Sequence, residues 1–157
     1  MSRRIYVASS WRNPNQPKVV AALRTAGHEV YDFRNPGSTA GFAWSEVDPE
    51  WQSWSIEEYR EKLNHDRAVE GFAADFDAMD WADTFVLVLP CGRSAHLELG
   101  WATGWSKPSA ILLSQDQFEP ELMYRLVDFL AVNPAELLVW LDGLDDDPWA
   151  HDVRGGL

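Results

Sequence analysis

Two carboxylates sit where this chain could use them for covalent and acid–base chemistry. The apolar run Phe85–Leu89 reads as a strand buried on both faces. It breaks into the loop Pro90–Ser94 and then a helical pattern carrying Glu98. Ser94 is the expected N-cap, which puts Glu98 in the first helical turn, where free backbone NH groups and the helix dipole favour the ionised form. Such a carboxylate is either a nucleophile or a decoration of a helix N-terminus. The second group is Asp75, in a helical pattern spanning Asp66 to Ala82. At about 100° per residue, Phe72, Phe76 and Met79 share one face and Asp75 lies at its edge, while Asp77 points nearly opposite. A carboxyl at an apolar margin has its pKa raised by desolvation, which suits a general acid, although most such aspartates are simply solvated. Cys91 is the one cysteine. No histidine is assigned to it as a base, and it reads as a small core residue.

The elements that must position these groups alternate. Arg4–Ala8 is a strand that ends in the polar loop Ser9–Pro17. Val19, Val20, Leu23 and Ala26 follow at helical spacing, with Gly27 as the stop. His28–Phe33 is a second strand, Phe85–Leu89 the third and Ala110–Leu113 the fourth. Strands alternating with helices imply parallel pairing by right-handed crossovers, hence one doubly wound, flavodoxin-like α/β sheet flanked by helices. Ser55-x-x-Glu58 is a capping box that opens a helix running through Leu63. Between Arg34 and Trp54 there is no clear period but several aromatics, which reads as a lid over a substrate or as a satellite hydrophobic cluster.

With 157 residues, 46% of them hydrophobic, the chain suits a single domain over 1–157, closing in an acidic tail over about 142–157. A net charge of −12 argues against partners such as nucleic acid or an anionic membrane. One cysteine and the absence of a long apolar run point to a soluble, cytoplasmic protein. Neither the four histidines nor Cys91 fall into ligand spacing, so no metal or other cofactor is expected.

Taken in order, these residues resemble the nucleoside 2-deoxyribosyltransferases and their nucleotide N-glycosidase relatives. Ile5-Tyr6-Val7-Ala8-Ser9-Ser10-Trp11-Arg12 is similar to the family's opening motif. Asp75, Asp83 and Leu97-Glu98-Leu99-Gly100 fall at the spacing of its acidic and nucleophile motifs, and Leu122-Met123 resembles its late Asn-Leu-Met element. The resemblance implies that Glu98 attacks the anomeric carbon to give a glycosyl-enzyme, that Tyr6 orients Glu98, and that Asp75 protonates the departing base. This matches the two-carboxylate logic of retaining glycosidases. It further implies that Trp11 walls the base pocket and that Met123, with Glu121, reaches the site from a neighbouring subunit of a homodimer or larger homo-oligomer.

There are departures from the pattern. The transferases carry an extra acidic residue before the nucleophile, and Gly92, Arg93, Ser94 and His96 do not supply one. Glu121 stands in place of the family's asparagine. Ser10 and Arg12 resemble the Ser-x-Arg loop of the nucleoside-monophosphate N-glycosidases. With Gly92, Arg93 and Ser94 they are expected to hold a 5'-phosphate near two helix N-termini. The expected activity is therefore cleavage of the N-glycosidic bond of a nucleoside or nucleoside 5'-monophosphate, with transfer of the sugar to another base or to water. An NAD glycohydrolase and a non-catalytic nucleotide-sensing module are the alternatives.

Overall fold

In the computed structural model, which describes residues 1–37 and 41–144, five parallel strands form one sheet in the order β2-β1-β3-β4-β5. These are β1 (Arg4–Ala8), β2 (Glu29–Tyr31), β3 (Thr84–Val88), β4 (Ser109–Leu112) and β5 (Phe129–Ala131). The helices are α1 (Gln16–Thr25), α2 (Ile56–Lys62), α3 (Asp66–Trp81), α4 (Arg93–Gly104) and α5 (Pro134–Gly143). The order is that of a flavodoxin-like doubly wound sheet, as expected. The expected acidic tail falls mostly on 145–157, outside the described residues.

The two-residue period of the strands divides the core. Ile5, Val7, Val86, Val88, Ala110 and Leu112 face α1 and α5, where they meet Leu23, Leu137 and Leu141. Tyr6, Ala8, Phe85, Leu87 and Ile111 face the other way, toward Met79 of α3 and Leu99 and Ala102 of α4. Both layers are needed because β1, β3 and β4 have no polar face.

Local signals place most boundaries. Pro17 lies in the first turn of α1, and the helix ends before Gly27, whose φ of 94° suits a residue without Cβ. The Ser55–Glu58 box closes in both directions, Glu58 N–H donating to Ser55 Oγ and Ser55 N–H to Glu58 Oε2. Three expectations change. The fifth strand has no sequence signal: three residues at an edge, with Leu130 facing outward, are too short to show a period. α4 starts one residue earlier than Ser94, with Gly92 as its N-cap. On α3, Met79 is buried but Phe72 and Phe76 are exposed and stack on each other at 5.7 Å, so they are not the core stripe that the periodicity implies. The buried residues of α3 are Ala68, Ala78 and Met79 instead. The segment after Arg34 forms the aromatic cluster that is one of its two readings. Trp44 packs edge-on against Phe42, Trp54 and Tyr59, and Trp54 Nε1 donates to Asp48. No helix among the described residues is long and apolar enough to cross a membrane.

Candidate active site

β1 is the point where the strand order reverses: β2 lies on one side of it and β3 on the other. Ligand crevices of open α/β sheets form beyond the carboxyl ends of strands at such a point. Here the loop after β1 is fixed from two sides. The Asn13 side chain, almost wholly buried, donates to Ser9 Oγ, Val88 O and Pro90 O at 3.1–3.2 Å, tying the loop to the end of β3. Arg34 donates to the carbonyls of Ser10, Trp11 and Asn13 and lies 5.8 Å over the Trp11 ring.

Above these strand ends opens a cavity of about 860 Å³ whose lining includes Trp11, Phe33, Phe42 and Trp44 with Asp75 and Glu98. Two glycines let the aromatic walls sit against backbone. A Cβ on Gly41 would lie 2.9 Å from Trp11, and one on Gly71 would lie 3.0 Å from Phe42.

The two carboxyls are each paired with a phenol, and the phenols belong to adjacent strands in register. Tyr6 pairs with Tyr31 across β1 and β2 and with Phe85 across β1 and β3. The three rings stack at 5.2 and 5.0 Å. Tyr6 hydrogen-bonds Glu98, and Tyr31 donates to Asp75 Oδ1 at 2.9 Å. Burial, reinforced by the facing carboxylates, drives both phenols far above their usual range, so both remain protonated donors.

Burial also raises both carboxyls. Glu98 is pushed up to about 8, first by desolvation and then by the charge of Asp75, against the lowering effect of the Tyr6 bond. Asp75 is raised by desolvation, with Tyr31 opposing. The expected elevation of Asp75 is present, whereas a helix dipole holding Glu98 ionised is not. With α4 starting at Arg93, Glu98 stands beyond the first turn, where the dipole has faded and desolvation dominates. The pair thus holds one proton over the range between the two titrations.

The remaining expected site residues divide. Trp11 and Ser94 line the cavity. Ser10, Arg12, Gly92 and Arg93 are not in its lining. Ser10 Oγ accepts from the Arg12 backbone N–H, and the Arg12 side chain is exposed. Glu121 and Met123 lie on a separate cavity of about 400 Å³ across α4, where Glu121 caps the turn Leu122–Leu126 by accepting from Met123 N–H. Asp83 serves the fold, with its carboxylate taking the Arg4 backbone N–H and its guanidinium. Cys91 does have a histidine neighbour, His96 Nδ1 at 3.6 Å. Nδ1 also faces Gly92 O at 2.9 Å, an oxygen that only accepts, so Nδ1 carries the hydrogen and Nε2 accepts from the Tyr124 hydroxyl. Burial pushes the Cys91 thiol up to about 12, and it stays a thiol.

Sequence reasoning missed Tyr31, Asn13 and Arg34. Only the β1–β2 register could have exposed Tyr31, as a tyrosine level with Tyr6 on the neighbouring strand. Among the described residues no three His, Cys, Asp or Glu side chains are grouped to hold a metal ion.

No family model matches the chain, and no curated protein matches it. Among solved structures, the 2-deoxyribosyltransferase of the psychrotolerant bacterium Bacillus psychrosaccharolyticus aligns with a TM-score of 0.54 at 22% identity, over 85% of this chain and 89% of that one. A CMP N-glycosidase of Clostridium botulinum aligns at 0.49 and 19% identity, over 89% of this chain and 99% of that one. The first of these shares the fold described above.

Proposed function

We propose that the chain is an enzyme of the nucleoside 2-deoxyribosyltransferase type, which cleaves the N-glycosidic bond of a nucleoside-class substrate through Glu98. The observation that carries this reading is the pair of phenol-held carboxyls, Tyr6 with Glu98 and Tyr31 with Asp75, at the open end of an aromatic-walled cavity. The fold shared with a 2-deoxyribosyltransferase supports it, as does the spacing of Tyr6, Asp75 and Glu98 along the chain.

In this reading the base lies between the aromatic walls, with Trp11 on one side, and the sugar lies over Glu98. The proton held by the pair moves to Asp75 as Glu98 ionises. A Glu98 carboxylate oxygen then bonds to the anomeric carbon while the carbon–nitrogen bond breaks. The electron pair passes to the base, which takes the Asp75 proton. Tyr6 keeps Glu98 aligned by donating to it. A second base or a water then attacks the same carbon, displaces Glu98 and completes transfer or hydrolysis. The acidic residue that the transferases carry before the nucleophile is absent from Pro90–Leu97, which favours water as acceptor. Glu121 and Met123 do not line their own chain's carboxyl cavity, while Leu122 and Met123 are well exposed. They are assigned to a neighbour's site in a homo-oligomer.

The test is incubation with a panel of nucleosides and their 5'-monophosphates, with and without free adenine, following release of base. Base release from at least one, abolished in Glu98→Gln, is the expected result. A protein that turns over none of them is not this enzyme.

A further inference from the structure

The cavity is strongly unbalanced in charge. Glu46, Glu70, Asp75, Asp77 and Glu98 line it, against one cation among the described residues, Arg67. That cation is already committed. Arg67 Nε and Nη2 each contact Glu46 at 3.2 Å, Nη2 donates to Gly41 O at 3.1 Å, and the guanidinium lies 5.4 Å over the Phe42 ring. Nothing comparable faces the other four acids. Besides burial, Asp75 and the Tyr6 phenol act on Glu98 and the Tyr31 phenol acts on Asp75, with no cation among them. Around the acids stand Trp11, Phe33, Phe42 and Trp44, whose ring faces attract positive charge as well as stacking on a flat base. Arg12, the expected phosphate ligand, is outside the lining.

Resting on the glycosidic reading above, we propose that the natural substrate is an unphosphorylated nucleoside whose base carries a fixed positive charge, of the N-alkylpyridinium or N-alkylpurinium class. A dianionic 5'-phosphate would enter a field of its own sign, with no uncommitted cation among the described residues of the lining to receive it. A cationic base supplies the missing countercharge to Asp75 and Glu98, and its arrival favours ionised Glu98, the form that attacks. The bond balance also changes. When the carbon–nitrogen bond of a cationic base breaks, its electron pair neutralises the ring, so the base leaves without a proton from Asp75. Water then hydrolyses the Glu98 ester, its hydroxyl going to the sugar and its proton to solvent.

Cationic bases are intrinsically better leaving groups, so recognition must be measured apart from cleavage. N1-methylnicotinamide and nicotinamide, which have no glycosidic bond, are titrated calorimetrically at low salt. The cation is expected to bind at least tenfold tighter, with a ratio that falls as salt is added. In the double variant Glu70→Gln, Asp77→Asn the ratio should drop by roughly threefold. Cleavage is compared for nicotinamide riboside and its 5'-monophosphate, and for 7-methylguanosine and guanosine. Equal or tighter binding of nicotinamide overturns the inference, as does a kcat/KM for the monophosphate or guanosine matching its partner's. In either case glycosidic cleavage itself would stand. Cation-selective binding by a protein that cleaves none of the four glycosides would instead overturn the proposed function.

Discussion

Glu98 occupies a position where a charge is costly to keep, and this makes its two roles separable by experiment. Its carboxyl is raised from 4.5 to about 8, so the folded state holds the proton more tightly than the unfolded chain. The stability linked to that proton is complete below about pH 4.5 and is lost as pH rises through about 8. Glu98→Gln should therefore melt like the unmodified protein at pH 4 and gain stability above it. The gain should reach about 2–4 kcal/mol at pH 8, read by denaturant unfolding, at the low side of what about 1.4 kcal/mol per unit would give. Turnover should fall by several orders of magnitude. A variant that is both inactive and destabilised at pH 8 would make Glu98 a structural residue. Tyr31 affords a second test. Its bond lowers Asp75, so Tyr31→Phe should raise the aspartate further and move the alkaline limb of kcat/KM for a neutral-base nucleoside to higher pH. An unmoved limb would remove Asp75 from the proton transfer.

At the scale of elements, what was legible is what local chemistry encodes. The capping box at Ser55, the stop at Gly27 and the buried run of β3 each report on a few consecutive residues, and each falls within a residue or two of its place. What escaped depends on distant partners. β5 is held by β4 and by Asp128, whose carboxylate takes the Ser109 backbone N–H, and neither shows in Phe129–Ala131 read alone. The outward face of Phe72 and Phe76 and the exposure of Arg12 follow from how α3 and the β1 loop dock, which spacing does not specify. Asp75 and Glu98, singled out by their order along the chain, line one cavity, and Tyr6 acts on Glu98. Asn13 is the corresponding loop determinant. Replacing it with Ala would remove its bonds to Ser9 Oγ, Val88 O and Pro90 O and loosen the loop that carries Trp11, at a cost of about 1–3 kcal/mol. KM should rise more than kcat falls. Unchanged unfolding would show the loop to be held by Arg34 and the Ser9–Val88 bond without Asn13.

At the scale of the whole molecule, α3 and α4 share an exposed apolar patch. Phe72, Phe76, Leu97 and Trp105 are all exposed on α3, α4 and the end of α4, and Phe76 and Trp105 both contact Trp101. Leu122 and Met123, after β4, are exposed as well, and together this is more large apolar side chain than a lone domain usually leaves to water. Assembly would cover it. Mixing inactive Glu98→Gln with an inactive Met123 variant should restore part of the activity if one subunit completes its neighbour's site. A fully active monomer at micromolar concentration would refute that arrangement. The overall charge of −12 adds repulsion between copies, so association should strengthen with moderate salt.

The absence of a side chain at Gly71 makes the cavity adjustable. A single methyl group there would meet Phe42 at 3.0 Å, while the helix around it would be favoured by alanine. Gly71→Ala should thus displace one aromatic wall without weakening α3, and the bases admitted should shift toward smaller rings. Selectivity for the size of the base is, on this account, one methyl group away from change, and a lineage could retune it in a single mutational step while leaving the carboxyl pair untouched.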